Sequence, residues 1–249
     1  MSKNIKIRLD QLLIDRNFAE TKSKAQSMIM AGQVYVNDKI ITKSGNSFNE
    51  NSKIKIKQLH PPWVSRGAFK LLEAIDHFKI DIKNKICLDI GSSTGGFTEV
   101  LLKKNAKKIY SIDVGTNQLH EKLKKEKKII SIENFNAKYL DNSIIHENID
   151  LIVCDVSFIS LTKVIEPSLK LLSKKAEIIS LIKPQFETKK INLKKGIVKD
   201  PIIHGQVCND ISKWFKTKTN AEVIGLVESP ITGPKGNKEF LIYCVLEKS

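Results

Sequence analysis

Apolar residues follow two rhythms along the chain. In the first thirty positions they recur three and four apart. Leu9, Leu12 and Leu13 predict an amphipathic helical turn running to Arg16, and Ala25, Met28 and Ile29 predict a second helix. Thr21 is placed to cap that second helix and Gly32 to end it. Val34-Tyr35-Val36 then reads as a strand, Asn37-Asp38 as a turn, and Ile54-Lys55-Ile56-Lys57 as an alternating strand. After residue 85 the apolar positions gather into short runs separated by helical patterns. Strands are expected at Ile86–Ile90, Ile109–Asp113, Lys128–Glu133, Leu151–Val156, Ala176–Ile182, Ala221–Glu228 and Glu239–Leu246. Helices are expected over Arg66–Phe78, Phe97–Lys104, Leu161–Leu172 and His204–Lys216. This alternation predicts an α/β fold, a mostly parallel sheet with helices on both faces.

The rhythm changes near His60-Pro61-Pro62-Trp63, where two prolines stop a helix and favour extended backbone. The expected organisation is a small α+β domain at 1–60, a linker at 61–64 and a larger domain at 65–249. Hydrophobic residues make up 41% of the 249, enough for a packed core, which excludes a disordered chain. The net charge of +15 implies a polyanionic partner, nucleic acid or an anionic membrane surface. Residues 1–62 carry 11 Lys and Arg against 5 Asp and Glu, a charge about twice as dense per residue as in the rest. Only Arg8, Arg16 and Arg66 are arginines, and that weakens the inference, because arginine is the better bidentate phosphate ligand. The N-terminus lacks the apolar core of a signal peptide, and no uncharged apolar run is long enough for a membrane span. Cys87, Cys154, Cys208 and Cys244 are widely spaced, so neither a metal site nor a disulfide framework is expected, and a reducing cytoplasm is the natural setting.

The loop Asp89-x-Gly91-x-x-x-Gly95-Gly96 joins the first strand of the larger domain to a helix. Its glycine spacing differs from the dinucleotide fingerprint and from a P-loop. An acid beside the loop suits a cationic cofactor such as S-adenosylmethionine, and Asp113, ending the next strand, is placed to accept from ribose hydroxyls. The cofactor candidates are Asp89, Gly91, Ser92, Gly95, Gly96, Phe97, Asp113 and Asp155. In an open α/β sheet, ligands bind beyond the carboxyl ends of the parallel strands. Asp155 and Lys183 end two such strands. Glu239 begins the last strand, which reaches the same edge if it runs antiparallel, and Lys70 on the preceding helix could join them.

Two resemblances narrow this reading. Arg8 to Leu13, Thr21 to Ala25 and Gly32 to Asn37 resemble, in order and spacing, the alpha-L RNA-binding motif shared by a ribosomal protein and pseudouridine synthases. Ser65 to Leu71, Asp89 to Thr98, Cys154 to Ser160 and Leu181 to Glu187 resemble the TlyA (hemolysin A-like) ribosomal RNA methyltransferases, which join that motif to an FtsJ/RrmJ-type domain. The resemblance implies a Rossmann-like methyltransferase sheet with a long antiparallel last strand. It implies 2′-O-methylation of cytidine in ribosomal RNA, with S-adenosylmethionine as donor and a ribosomal subunit or its precursor as partner. It also implies a catalytic tetrad of Lys70, Asp155, Lys183 and Glu239. Some members carry an Arg before the Trp-Val pair, where this chain has Pro62.

In that scheme Lys183 accepts the proton from the ribose 2′-hydroxyl. A free lysine, with a pKa of ~10.4, is largely protonated near neutrality. Burial and the neighbouring Lys70 would lower it and Asp155 would raise it, so a purely positioning role stays open. Candidate RNA contacts are Arg8, Lys22, Lys24, Arg66, Lys189 and Lys190, and Phe158 and Phe186 could stack on a splayed-out base. Two alternatives stand beside the enzyme: a non-catalytic ribosome-binding or assembly factor, and, with little in the sequence to favour it, a membrane-lytic protein.

Overall fold

The structure is a computed structural model and describes residues 6–30, 32–56 and 63–247. It divides into two compact units, 1–62 and 63–249. Pro61 and Pro62 of the expected linker lie outside the described residues. Its other half is held within the larger unit: Val64 N donates to Glu99 Oε2 at 2.7 Å and Lys103 lies 4.1 Å over the Trp63 ring.

The smaller unit runs β1 (Lys6–Arg8), α1 (Leu9–Asp15), α2 (Lys22–Met30), β2 (Val34–Val36), β3 (Lys39–Ile40), β4 (Ser47–Asn49) and β5 (Ile54–Ile56). β1 pairs with β4, and β2 lies between β3 and β5, all antiparallel. Leu9, Leu13, Ala25, Ile29, Val34 and Val36 form its core, so the three-and-four spacing is what closes the two helices on the strands. Thr21 Oγ1 accepts from Lys24 N at 3.2 Å, and Gly32 adopts φ +68°. Asn37 and Asp38 both have positive φ, as a two-residue hairpin turn requires. β1, β3 and β4 have two or three residues each, too short for a periodicity to mark them.

The larger unit runs α3 (Ala68–Phe78), β6 (Ile86–Ile90), α4 (Gly96–Lys103), β7 (Lys108–Ile112), α5 (Glu121–Lys124), β8 (Ile129–Ile132), β9 (Ile149–Cys154), α6 (Thr162–Ser168), β10 (Leu172–Ile182), α7 (Pro184–Glu187), α8 (Pro201–Lys218), β11 (Glu222–Glu228) and β12 (Phe240–Glu247). The seven strands order as β11-β12-β10-β9-β6-β7-β8. β12 alone runs opposite to the other six. Alternate strand residues serve opposite faces: Leu88, Ile152, Ile178 and Ile242 pack with α6 and α8, and Cys87, Val153, Ile179 and Leu241 with α3 and α4. The two layers bury both faces, which explains why the central strands are mostly apolar and do not alternate.

The helix expected over Leu161–Leu172 is shorter. α6 ends at Ser168, a 3-10 turn follows at Leu169–Leu171, and Leu172 already pairs with Ile149 in the sheet. Leu169 and Leu172 have helical spacing, but Pro167 removes an N–H from this stretch and the sheet takes the second leucine. No helix among the described residues is long and apolar enough to cross a membrane.

Candidate active site

The strand register gathers the site. Ile90 lies opposite both Ile112 and Cys154, Cys154 opposite Ser180, and Ile182 opposite Phe240. The residues that continue or precede these strands, Gly91, Asp113, Asp155, Lys183 and Glu239, therefore stand along one edge. β12 delivers Glu239 there because it runs antiparallel. Lys70 reaches the same edge from α3, whose Ala68, Leu71, Ala74 and Ile75 hold it on the sheet.

Four charges of alternating sign follow one another. Lys183 Nζ is 2.5 Å from Asp155 Oδ1, Asp155 Oδ2 is 3.2 Å from Lys70 Nζ, and Lys70 Nζ is 2.7 Å from Glu239 Oε2. Lys183 also donates to Ser157 Oγ at 2.9 Å. Lys70, Lys183 and Glu239 are 8%, 6% and 1% exposed, so each charge depends on its neighbour for solvation. Burial alone would lower the Lys70 pKa, but Asp155 and Glu239 outweigh it and the ammonium is held above its ordinary range. Glu239 Oε1 has no hydrogen-bond partner, and a Cβ on Gly233 would stand 2.0 Å from it.

Two cavities meet at this chain of charges. One, of about 390 Å³, is walled by Ile112, Phe135, Ala137, Val156 and Ile159 and carries Asp113 on its lining. The other, of about 490 Å³, is lined by Lys70, Lys183, Arg66, Ser92, Gly96 and Phe97 among others. Gly91, Ser93, Asp155 and Ser157 line both. Gly91 has φ +81°, and a Cβ there would lie 2.7 Å from the Asp155 carbonyl oxygen, so only glycine fits.

The remaining expected residues separate into groups. Asp113 is intermediate in burial, and its two oxygens accept from Ser93 N at 2.8 Å and Gly115 N at 2.7 Å, which fixes the loop. Asp89 lies beneath both cavities and lines neither. It is fully buried, accepts from Thr98 Oγ1 at 2.6 Å, and leaves Oδ1 without a partner. Burial pushes its carboxyl up to about 7, with the charges of Asp155 and Asp113 adding to the shift and Thr98 opposing it. Gly95 also lines neither cavity. Its Cβ would stand 2.3 Å from Leu123 Cδ1, so that glycine serves the packing of α4 on α5.

Among the basic candidates, Arg66 is exposed at the mouth of the second cavity, and Lys189 and Lys190 are exposed beyond α7. Lys22 and Lys24 are exposed at the start of α2. Arg8 is different: its guanidinium forks onto Asp10, Nε to Oδ1 at 3.0 Å and an Nη to Oδ2 at 2.8 Å, so much of its donor capacity is used within the unit. Phe158 is 91% exposed, has φ +65°, and lies 5.0 Å from Phe186 by ring centroids. Ser157 and Gly233 were missed by sequence reasoning. Ser157 sits two residues after Asp155 in the stretch already singled out, but Gly233 carries no signal without the position of Glu239. No group of three or more His, Cys, Asp or Glu among the described residues is arranged to hold a metal ion.

Comparison with known proteins accords with this geometry. Residues 63–245 match the family model "FtsJ-like methyltransferase", and residues 7–50 match "S4 domain". The chain is 41% identical over 243 residues to Hemolysin A of Brachyspira hyodysenteriae, spanning 96% of this chain and 100% of that one. It is 34% identical over 238 residues to the 16S/23S rRNA (cytidine-2′-O)-methyltransferase TlyA of Mycobacterium tuberculosis, spanning 95% and 88%. A solved structure of a hemolysin-named protein from Streptococcus thermophilus superposes with a TM-score of 0.76 at 35% identity, covering 99% of this chain and 90% of that one. An S4 domain followed by a seven-stranded sheet whose last strand runs antiparallel, with similarity sustained over nearly the whole chain, means that this protein belongs to the TlyA/hemolysin A family of FtsJ-like methyltransferases.

Proposed function

We propose that the protein transfers a methyl group from S-adenosylmethionine to the 2′-hydroxyl of a ribose in ribosomal RNA, that of a cytidine, in the cytoplasm. The observation that carries this is the alternating chain Lys183, Asp155, Lys70, Glu239 where the two cavities meet. A protein that only docked on ribosomes would gain nothing from burying Lys70, Lys183 and Glu239 around Asp155, since each loses hydration.

The residues fit the donor. The first cavity offers apolar walls for a flat purine and the Asp113 carboxylate for a ribose. Gly91 leaves the backbone open where the cavities join, and the unpartnered Asp89 Oδ1 below them favours a positive charge above. Bound there, S-adenosylmethionine supplies a methyl group already activated by its sulfonium. The chain must then align the attacking hydroxyl and remove one proton. Lys70, flanked by two carboxylates, remains the cation and fixes Asp155. Lys183, with one carboxylate and a neutral hydroxyl as partners, is the amine we assign as proton acceptor. Asp155 and Ser157 aim it. Arg66, Lys189 and Lys190 offer charge to the RNA on the larger unit, and Lys22 and Lys24 on the S4 domain. Phe158, exposed and in a strained backbone conformation, stands ready to stack on an unpaired base.

The test is incorporation of labelled methyl groups into purified ribosomal subunits, followed by mapping of the product. A 2′-O-methyl group on a cytidine is the expected result. Absence of incorporation into either subunit or its precursor particles, by protein that is folded, would overturn the proposal.

A further inference from the structure

A cavity of about 860 Å³ lies apart from the tetrad. It is a groove between α8 and the loop that leads into β12, with Pro201, Cys208 and Phe240 on its apolar wall and Lys199, Lys235 and Lys238 around it. Glu228, the acid in its lining, is paired with Lys238 at 3.0 Å, while Lys199 and Lys235 form no ion pair among the described residues. The charge left over is positive.

Two glycines open the groove. Gly205 sits inside α8, where glycine is the poorest helix former apart from proline. Yet a Cβ on Gly205 would meet no atom within 4 Å, so packing within the chain does not demand glycine there. Gly236 faces open space too, but its φ of +84° already calls for glycine, so Gly205 is the one that the fold leaves unexplained. A missing side chain that the fold itself does not need leaves room for something outside the fold. Lys235 shows what that something touches next, because it lines this groove and also the cavity of Lys70 and Lys183. It does so from a left-handed conformation, φ +61°, that non-glycine residues rarely take.

We propose that this groove binds a nucleotide of the RNA strand next to the methyl acceptor, its base on the apolar wall and its phosphate toward Lys199 and Lys235. An apolar floor rimmed by unpaired cations matches a base joined to a phosphate. The inference rests on the RNA methyltransferase reading above. Lys235 lines both cavities, so a single strand can pass from one to the other.

The test uses the full chain with purified ribosomal subunits as substrate. Gly205→Leu fills the groove and favours the helix, so it should fold. It should raise KM for the subunits at least tenfold, with S-adenosylmethionine affinity within twofold of wild type. Lys199→Gln should raise the same KM a few fold and reduce the salt dependence of binding by about one ion. A KM within twofold of wild type for Gly205→Leu would overturn the groove assignment alone. Should Gly205→Leu prove unfolded by circular dichroism, Lys199→Gln decides on the same criterion. A wild-type protein unable to methylate any subunit would overturn both this assignment and the function on which it rests.

Discussion

Lys70 and Lys183 in the larger unit and Lys22 and Lys24 in the smaller one are the same residue type put to opposite uses. The first two are at most 8% exposed, and each touches at least one carboxylate oxygen at 3.2 Å or less. The second two are exposed at the start of α2, and neither forms an ion pair among the described residues. A buried ammonium persists only where fixed anions replace water, so its position is set closely, and once it has released a proton to solvent the neutral amine can take one from a single hydroxyl. An exposed, unpaired ammonium keeps its charge available and its geometry loose, which suits a phosphate backbone. Removing a lysine of the first kind should abolish chemistry and spare affinity. Removing one of the second kind should do the reverse.

The largest effect is expected at Lys183. Lys183→Ala should lower the methyl transfer rate by roughly 10²–10⁴-fold, the range for losing a general base. S-adenosylmethionine binding, measured by calorimetry, should stay close to wild type. Near-normal turnover would remove Lys183 from the mechanism and leave the comparison without its buried half.

Next comes a change that moves a charge without deleting one. Gly233 has φ −72°, so alanine meets no backbone strain there, but its Cβ would stand 2.0 Å from Glu239 Oε1. Gly233→Ala should push that carboxylate off Lys70 and reduce kcat by about tenfold to a hundredfold, in line with the cost of misplacing a positioned group. KM for S-adenosylmethionine should change little. If kcat holds while a second structure shows Glu239 displaced, the last link of the tetrad is structural only.

How much of this was legible beforehand differs between the same two regions. The apolar runs at Ile86–Ile90 and Leu151–Val156 betrayed the sheet, because strands buried on both faces are mostly apolar and do not alternate. Asp155 and Lys183 followed from lying just past strand ends. Glu239 depended on guessing that β12 runs backwards, and the pairing of Ile182 with Phe240 supplies what the guess lacked. Contacts made by small groups from distant positions left no trace: Gly95, a cofactor candidate, must also clear Leu119 and Leu123. In the smaller unit the helices were plain, but the candidate RNA contact Arg8 gave no sign that Asp10, two residues on, takes its fork. Local sequence shows that a charge exists. It does not show whether another side chain already holds it.

A pH dependence separates burial from pairing within the larger unit. Asp89 is buried like Lys70, yet it has no cation of its own, and its carboxyl is pushed up to about 7. An acid with a raised folded pKa holds its proton in the folded state while the unfolded chain has already released it. Its contribution to stability is therefore complete below about pH 4 and is lost as pH rises through 7. Asp89→Asn, which cannot ionise, should raise Tm at pH 8 by a few degrees relative to wild type and much less at pH 5. A cationic ligand above Asp89 favours the ionised form, so wild-type affinity for S-adenosylmethionine should rise from pH 6 to pH 8, and that slope should flatten in Asp89→Asn. Parallel slopes in the two proteins would mean that Asp89 does not sense the ligand.

The smallest effects belong to the exposed lysines. Each phosphate contact contributes about 0.9 to the slope of log binding constant against log salt on a duplex, and about 0.7 on a single strand. Lys22→Gln and Lys24→Gln should each weaken binding to ribosomal subunits a few fold at physiological salt and lower that slope by about one, while kcat at saturating subunits stays unchanged. Arg8→Gln is the control within the same unit. Its guanidinium is committed to a wholly buried Asp10, which Gln26 and the Gln11 amide also contact. Losing it should lower the melting temperature, because it strips a buried carboxylate of its counter-ion, and should leave the salt slope nearly as it was. If instead Arg8→Gln flattens the slope as much as Lys24→Gln does, the fork opens when RNA arrives. A paired charge in the S4 domain would then be as available to the polyanion as an unpaired one, and the contrast between the two regions would reduce to burial alone.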